Sequence, residues 1–323
     1  MSRRCLPVIL MTLLGLVSPA RTEDQAQGFV LILNEENDRF IIPATDKHYT
    51  QGLHLALLWP DNAVPIALQP LAFLPDFGIA NATRKHGFAI GQNIYTPVDT
   101  ETTSLIVTDR PYAGWLYLGL IRETRGTTGR NVPTLDHLEL DLGVVGPAAL
   151  GGKAQNWFHG LVSERTANGW KHQLNGEPAV LLFGERKWLF WESGGGDALN
   201  VQLIPKLALK LGNVETSAKL GAIMRFGHNL PDEFGKIFRE RYGWYVFSEV
   251  DGRGVLRNEF LDGNVFNHSH DVKKEPGIAE LHVGAGVVFK GVEFRYTFNY
   301  LTREFQLQDK YDAYGSLDFI CRF

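Results

Sequence analysis

His159 and Gln155 stand four residues apart in the stretch from Ala154 to Glu164. That stretch reads as a short helix, and the spacing puts both side chains on one face of it. An imidazole near neutral pH is the natural general base, although a loop histidine is often only solvated. A second cluster, Glu36-Asn37-Asp38, precedes Tyr49-Thr50-Gln51-Gly52. Its hard oxygen donors suit Ca²⁺, while Asn and Asp making local hydrogen bonds in a turn is the plainer reading. A third is Asp109-Arg110, in Thr108 to Gly114. It reads as an ion pair fixing a loop base, or as an Arg110 guanidinium that grips an anionic substrate group with two bonds.

Several familiar chemistries are excluded. The chain holds no Gly-x-Ser-x-Gly elbow, His-Glu-x-x-His, Cys-x-x-Cys or P-loop. Met1 to Ala20 reads as a signal peptide: a basic start, an apolar run from Leu6 to Val17, and Ser18-Pro19-Ala20 before the cut. Its removal takes Arg3 and Arg4 and no acid, so the net charge of −4 becomes −6 (−4 minus 2). An acidic chain has no basic footprint for nucleic acid, and none is expected as a partner. Cys5 leaves with the leader, so Cys321 is the single cysteine of the mature chain and no internal disulfide forms.

The elements that must position these residues are strands. Val292, Phe294, Tyr296, Phe298 and Tyr300 alternate with Glu293, Arg295, Thr297 and Asn299. Leu317, Phe319, Cys321 and Phe323 alternate with Ser316, Asp318 and Arg322, with Ile320 the exception. Similar runs occupy 138–144 and 279–289. Such period-two patterns mark strands with one apolar and one polar face. Their length of about ten residues fits a tilted membrane strand better than a sandwich strand. Trp59, Trp115, Trp188, Trp191, Trp244 and Tyr245 at strand ends read as interfacial girdles.

The fold class is therefore all-β: a transmembrane antiparallel β-barrel of about 12 strands, with a short helix in an extracellular loop. Strands are expected near 28–34, 50–59, 86–95, 112–122, 135–146, 178–190, 199–211, 215–227, 242–257, 277–289, 291–302 and 312–323. Residues 21–323 form one domain. An even strand count and an aromatic C-terminus place both ends in the periplasm. Segments 35–49, 96–111, 147–177, 212–214, 258–276 and 303–311 are then extracellular, and all the clusters above lie on or beside them. The polar residues of Gly252 to Asn264 read as lumen lining and a turn, and His54, set among Leu53, Leu55 and Leu57, lines the lumen.

The chain resembles the outer-membrane lipid A 3′-O-deacylase family, twelve-stranded barrels that remove an ester-linked acyl chain from lipid A. The resemblance runs along nearly all of the mature chain. It is carried by Asn37-Asp38, Tyr49-Thr50-x-Gly52, Gln92-x-Ile94-Tyr95-x-Pro97, Asp109-Arg110, Gly143-x-x-Gly146-Pro147, Gln155-x-x-x-His159, and Gly169-Trp170 with Gln173. It implies a Ca²⁺-dependent site between the outer barrel wall and a loop helix. There His159 activates water, Gln155 positions the reacting groups, Asn37 and Asp38 belong to the calcium and oxyanion region, and Thr50 is a polar contact. Glu164 is the counterpart of a family acidic residue after the histidine, shifted by one, and is expected among the metal ligands. The family's Lys-Arg pair after Tyr-x-Pro is not matched, since Asp99 and Glu101 stand there.

The resemblance implies an exported monomer in the bacterial outer membrane, inserted by the barrel assembly machinery, with outer-leaflet lipid A or lipopolysaccharide as its substrate. Two rivals remain. An outer-membrane phospholipase A would need a serine nucleophile, for which Ser163 is the position to test. A non-catalytic barrel, porin-like or structural, would be indifferent to His159.

Overall fold

The computed structural model describes residues 28–41, 47–162, 164–194, 199–234 and 242–323. The expected leader and Ser163 lie outside them. Each expected strand is present: β1 (Val30–Asn37), β2 (His48–Pro60), β3 (Ala80–Thr96), β4 (Ala113–Thr128), β5 (Val132–Val145) and β6 (Glu177–Trp188). A three-residue β7 (Trp191–Ser193) follows, then β8 (Leu199–Gly212), β9 (Glu215–His228), β10 (Gly243–Asn258), β11 (Gly277–Phe289), β12 (Val292–Leu301) and β13 (Asp312–Arg322). Among the described residues two α-helices interrupt the strand order, α1 (Gly151–Val162) and α2 (Glu259–Asp262), besides short 3-10 turns.

All pairings between these strands are antiparallel, and the sheet closes on itself. β1 pairs with β13 from Val30↔Arg322 to Asn37↔Gly315, and β6 pairs with β8 on the other side. β7 also lies on β8 and continues the β6 stave, so the barrel has 12 staves. Closure removes every sheet edge, as a lipid environment demands. The described ends of the chain meet: Phe29 and Phe323 exchange backbone hydrogen bonds of 2.6 and 3.1 Å, and their rings stack 6.0 Å apart. At this end β11 and β12 are joined by Lys290-Gly291 alone. Both residues have positive φ, 47° and 82°, the conformation whose twist matches a tight hairpin.

The period-two pattern sorts side chains between lipid and lumen. Leu118, Leu142, Leu182, Leu207, Leu209, Leu220, Val250 and Leu281 point outward and are exposed. Inside, charges pair across the lumen. Arg253 binds Glu280 at 2.6 Å and Glu215 at 2.9 Å. Lys206 binds Asp251 at 3.0 Å and also Glu249. His54 meets Glu139 at 3.1 Å and so faces the lumen as expected. Above this layer, Trp115, Tyr117, Leu181, Val214 and Phe260 of α2 close the end far from the termini. At the termini end, Val30, Ala56, Leu58, Ile121 and Ile320 form another apolar layer. Ile320 breaks the alternation of the last strand because the lumen is itself apolar at that level.

The girdle expectation needs correction at two positions. Trp59, Trp188, Trp191 and Trp244 are partly or fully exposed near the termini end. Trp115 and Tyr245 are buried instead. Both stand at lumen-facing parity, where they stack on Tyr117 (4.2 Å) and bind Glu293 (2.5 Å) respectively. Period two, rather than position near a strand end, decides which side of the wall a ring occupies.

Candidate active site

The rim of β3 and β4 at the far end carries α1. The chain leaves β5 through Gly146, at φ 91°, where a Cβ would meet the Asn175 carbonyl oxygen at 2.6 Å. Leu150, at φ 60°, then turns it into the helix. A Cβ on Gly151 or Gly152 would come within 2.7 or 2.8 Å of the Trp170 indole, so glycine lets the helix lie flat on that ring. Trp170 in turn packs with Ile94, Tyr112 and Ala167, joining the helix to the barrel wall.

One face of α1 is Gly151, Gln155 and His159, all buried. The Trp170 indole N–H donates to Gln155 Oε1 at 2.8 Å, which fixes which way the amide points. His159 Nδ1 lies 2.6 Å from the Arg165 carbonyl oxygen. A carbonyl only accepts, so Nδ1 carries the hydrogen and Nε2 of the neutral ring holds the lone pair. The opposite face presents Trp157 and Leu161 to the surroundings at 68% and 57% exposure. Val98, Leu105 and Val107 add exposed apolar surface on the segment between β3 and β4. A buried polar face thus lies back to back with an apolar one at the wall.

The Asn37-Asp38 cluster reaches the same neighbourhood from β1. Asn37 caps the short helical turn Asp38–Phe40 by accepting from the Arg39 N–H at 2.9 Å. Asp38 is buried, and its Oδ2 accepts from the Lys47 N–H at 2.6 Å. Arg39 then reaches the loop after α1 and binds Glu164 at 2.6 Å. That cation holds the Glu164 carboxyl below its ordinary range. Thr50 lies where the β2–β3 register slips between Tyr49 and Gln51. Such bulges re-aim side chains, and Thr50 Oγ1 meets Thr96 Oγ1 at 2.7 Å.

Arg110 sits elsewhere. Its side chain is wholly buried, bound to Glu304 at 3.0 Å and stacked 4.9 Å above the Tyr95 ring. The expected Asp109–Arg110 ion pair is replaced by this one. Asp109 instead accepts from the Val98 N–H and the Arg110 N–H, both at 2.7 Å. Neighbours in sequence point their side chains apart here, and the long-range partner wins.

Three contributors were not singled out from sequence: Arg39, Arg165 and Thr96. Arg165 supplies the carbonyl that orients His159, and its guanidinium binds Glu101. The Asn168 N–H donates to the Thr100 carbonyl at 2.8 Å, lacing the same two loops together. Glu101, standing where the resembled family has a basic pair, thus serves as a tie. No local signal marks such ties, because their partners are 64 and 125 residues away.

The sequence pattern of outer membrane protein LpxR matches residues 8–323. The chain belongs to the LpxR family of outer-membrane proteins. Among solved structures, LpxR from Salmonella typhimurium superposes with a TM-score of 0.72 at 22% identity, over 91% of this chain and 100% of that one. At that identity the likeness shows the shared barrel. The β domain of the Bordetella autotransporter BrkA aligns with a TM-score of 0.43 at 10% identity, over 92% of this chain and 99% of that one. No curated protein matches the sequence. Membership of the LpxR family places the barrel in the outer membrane, so the exposed leucines of the staves are its lipid-facing belt.

Proposed function

We propose that this LpxR-family barrel is a Ca²⁺-dependent esterase that removes the 3′-linked acyl chain from lipid A. The observation that carries the reading is the His159 ring. It is buried on a helix whose other face is apolar, and Arg165 holds it in the tautomer that leaves Nε2 to act as base. The described ends, Phe29 and Phe323, meet at the opposite end of the barrel; with that end assigned to the periplasm, the site opens at the outer leaflet.

Hydrolysis then needs no covalent intermediate. Water attacks the ester carbonyl while His159 Nε2 takes its proton, and the proton returns to the departing sugar hydroxyl. Gln155, held by Trp170, orients the reacting groups, and Thr50 offers a hydroxyl beside them. Asn37 and Asp38 present amide and carboxylate oxygens at one turn, the donor chemistry of a hard cation. When bound there, Ca²⁺ would polarise the ester carbonyl and steady its oxyanion. Glu164 could join the ligands only by giving up Arg39. The layered lumen, with paired charges between apolar ends, favours an enzyme over a porin-like channel.

The test is mass spectrometry of lipid A incubated with purified protein and Ca²⁺. Loss of the acyl chain or chains linked at the 3′ position is expected, with His159→Ala slower by about 10²–10⁴-fold. Equal hydrolysis by that variant would falsify the assignment. An intact lipid A beside a cleaved glycerophospholipid would favour the phospholipase reading.

A further inference from the structure

The outer wall carries a second feature, at the end of the barrel with the termini. Gly184 of β6 stands at lipid-facing parity between Val180 and Leu182 on one side and Arg186 and Trp188 on the other. Across the sheet it pairs with Leu138 of β5 and Leu209 of β8. A groove of 380 Å³ lies over it, between these strands and Phe77. Leu138, Leu207 and Leu209 line its inner length, and Trp188 and Phe77 stand at its mouth. The groove faces lipid, so its occupant is drawn from the membrane.

Its mouth is charged. On the same outer wall Arg186 binds Asp136 at 2.6 Å, and Arg122 binds Asp76 at 2.5 Å. Arg122 is 3% exposed and lines the groove, and its Nε has no hydrogen-bond partner among the described residues. Charged groups on a lipid-facing wall are costly at mid-membrane and tolerated at headgroup depth. The segment 61–79 folds over the neighbouring wall, with exposed Ile66 and Phe73 as further interfacial anchors. One end of the groove is therefore at headgroup level and the other in hydrocarbon.

We propose that this groove binds one diacyl glycerophospholipid of the periplasmic leaflet. A single acyl chain fills the space over Gly184. The mixed-sign rim of Arg122, Arg186, Asp76 and Asp136 receives a zwitterionic headgroup, phosphate toward the guanidiniums and ammonium toward the carboxylates. The site is separate from the His159 helix and does not depend on the esterase reading.

Native mass spectrometry of the full chain in detergent, titrated with dioleoyl phosphatidylethanolamine, tests it. Wild type should hold one lipid in preference to later ones. Gly184→Leu fills the groove and should weaken that first binding by about tenfold, roughly 1.4 kcal/mol. Leu220→Phe, on the belt elsewhere, should leave it unchanged. A Cβ at position 184 makes only ordinary contact, 3.6 Å from Leu138. Gly184→Ala should therefore fold even if the leucine variant does not, and should bind more weakly than wild type. Independently, phospholipid brominated close to its headgroup should quench fluorescence that Trp188→Phe removes. Identical lipid retention in both Gly184 variants and wild type, or quenching without a Trp188 share, overturns the proposal.

Discussion

Arg39 and Glu164 meet at 2.6 Å although 125 residues separate them. The pair ties the turn that carries Asn37 and Asp38 to the loop that follows His159. It links two halves of the candidate site, one that follows β1 and one that follows the helix after β5. Both side chains are partly exposed, 29% and 39%, and an exposed pair contributes little to stability. Its consequence is therefore expected in activity.

Arg39→Ala and Glu164→Gln should each lower lipid A hydrolysis several-fold without changing the temperature at which the barrel unfolds. If the pair acts as one tie, the double variant loses no more than either single one. Additive losses in a double-mutant cycle would show that the two residues act separately.

Gly151 and Gly152 let α1 lie on Trp170. Gly151→Val places new atoms inside the 2.7 Å already separating a Cβ from the ring, so the helix must lift and carry His159 away from the wall. Activity should fall by about 10²-fold, the scale that a misplacement of about 1 Å costs. The heat-dependent gel shift of a folded barrel should persist. Trp170→Phe keeps the ring but frees the Gln155 amide, and a smaller loss is expected.

Chelation of divalent cations should abolish hydrolysis, and added Ca²⁺ should restore it. Asp38→Asn removes the buried carboxylate while keeping its shape. The variant should need more Ca²⁺ for half-maximal rate while approaching the wild-type rate at saturation. A calcium titration identical to wild type would remove Asp38 from the ligand set.

Glu259 of α2 is wholly buried at the far end of the lumen. Burial, reinforced by the Glu177 carboxylate, pushes its pKa from 4.5 up to about 9. The folded state thus holds a proton that the unfolded state releases above pH 4.5. Its contribution is complete below that pH and is lost progressively as pH rises toward 9. Glu259→Gln, neutral throughout, should match wild type in unfolding temperature near pH 4 and exceed it by several degrees near pH 9.

The alternation of residues 292–300, 279–289 and 138–144 determined by itself that these stretches are strands with one apolar and one polar face. Strand length, strand-end aromatics and twelve candidate strands carried that to a barrel. Successive side chains on a strand point to opposite faces, so the alternation is a property of the local backbone. The four-residue step from Gln155 to His159 gave the helix face for the same reason. Tertiary structure alone decided the partners. Arg110 turned from Asp109 to Glu304, 194 residues on. Glu164 was taken by Arg39, Trp115 and Tyr245 turned inward, and Gly184 became the floor of a groove. Each outcome depends on which distant strand lies alongside when the sheet closes. Register across a closed barrel is a global condition, set by many weak pairings at once, and no single stretch of sequence contains it.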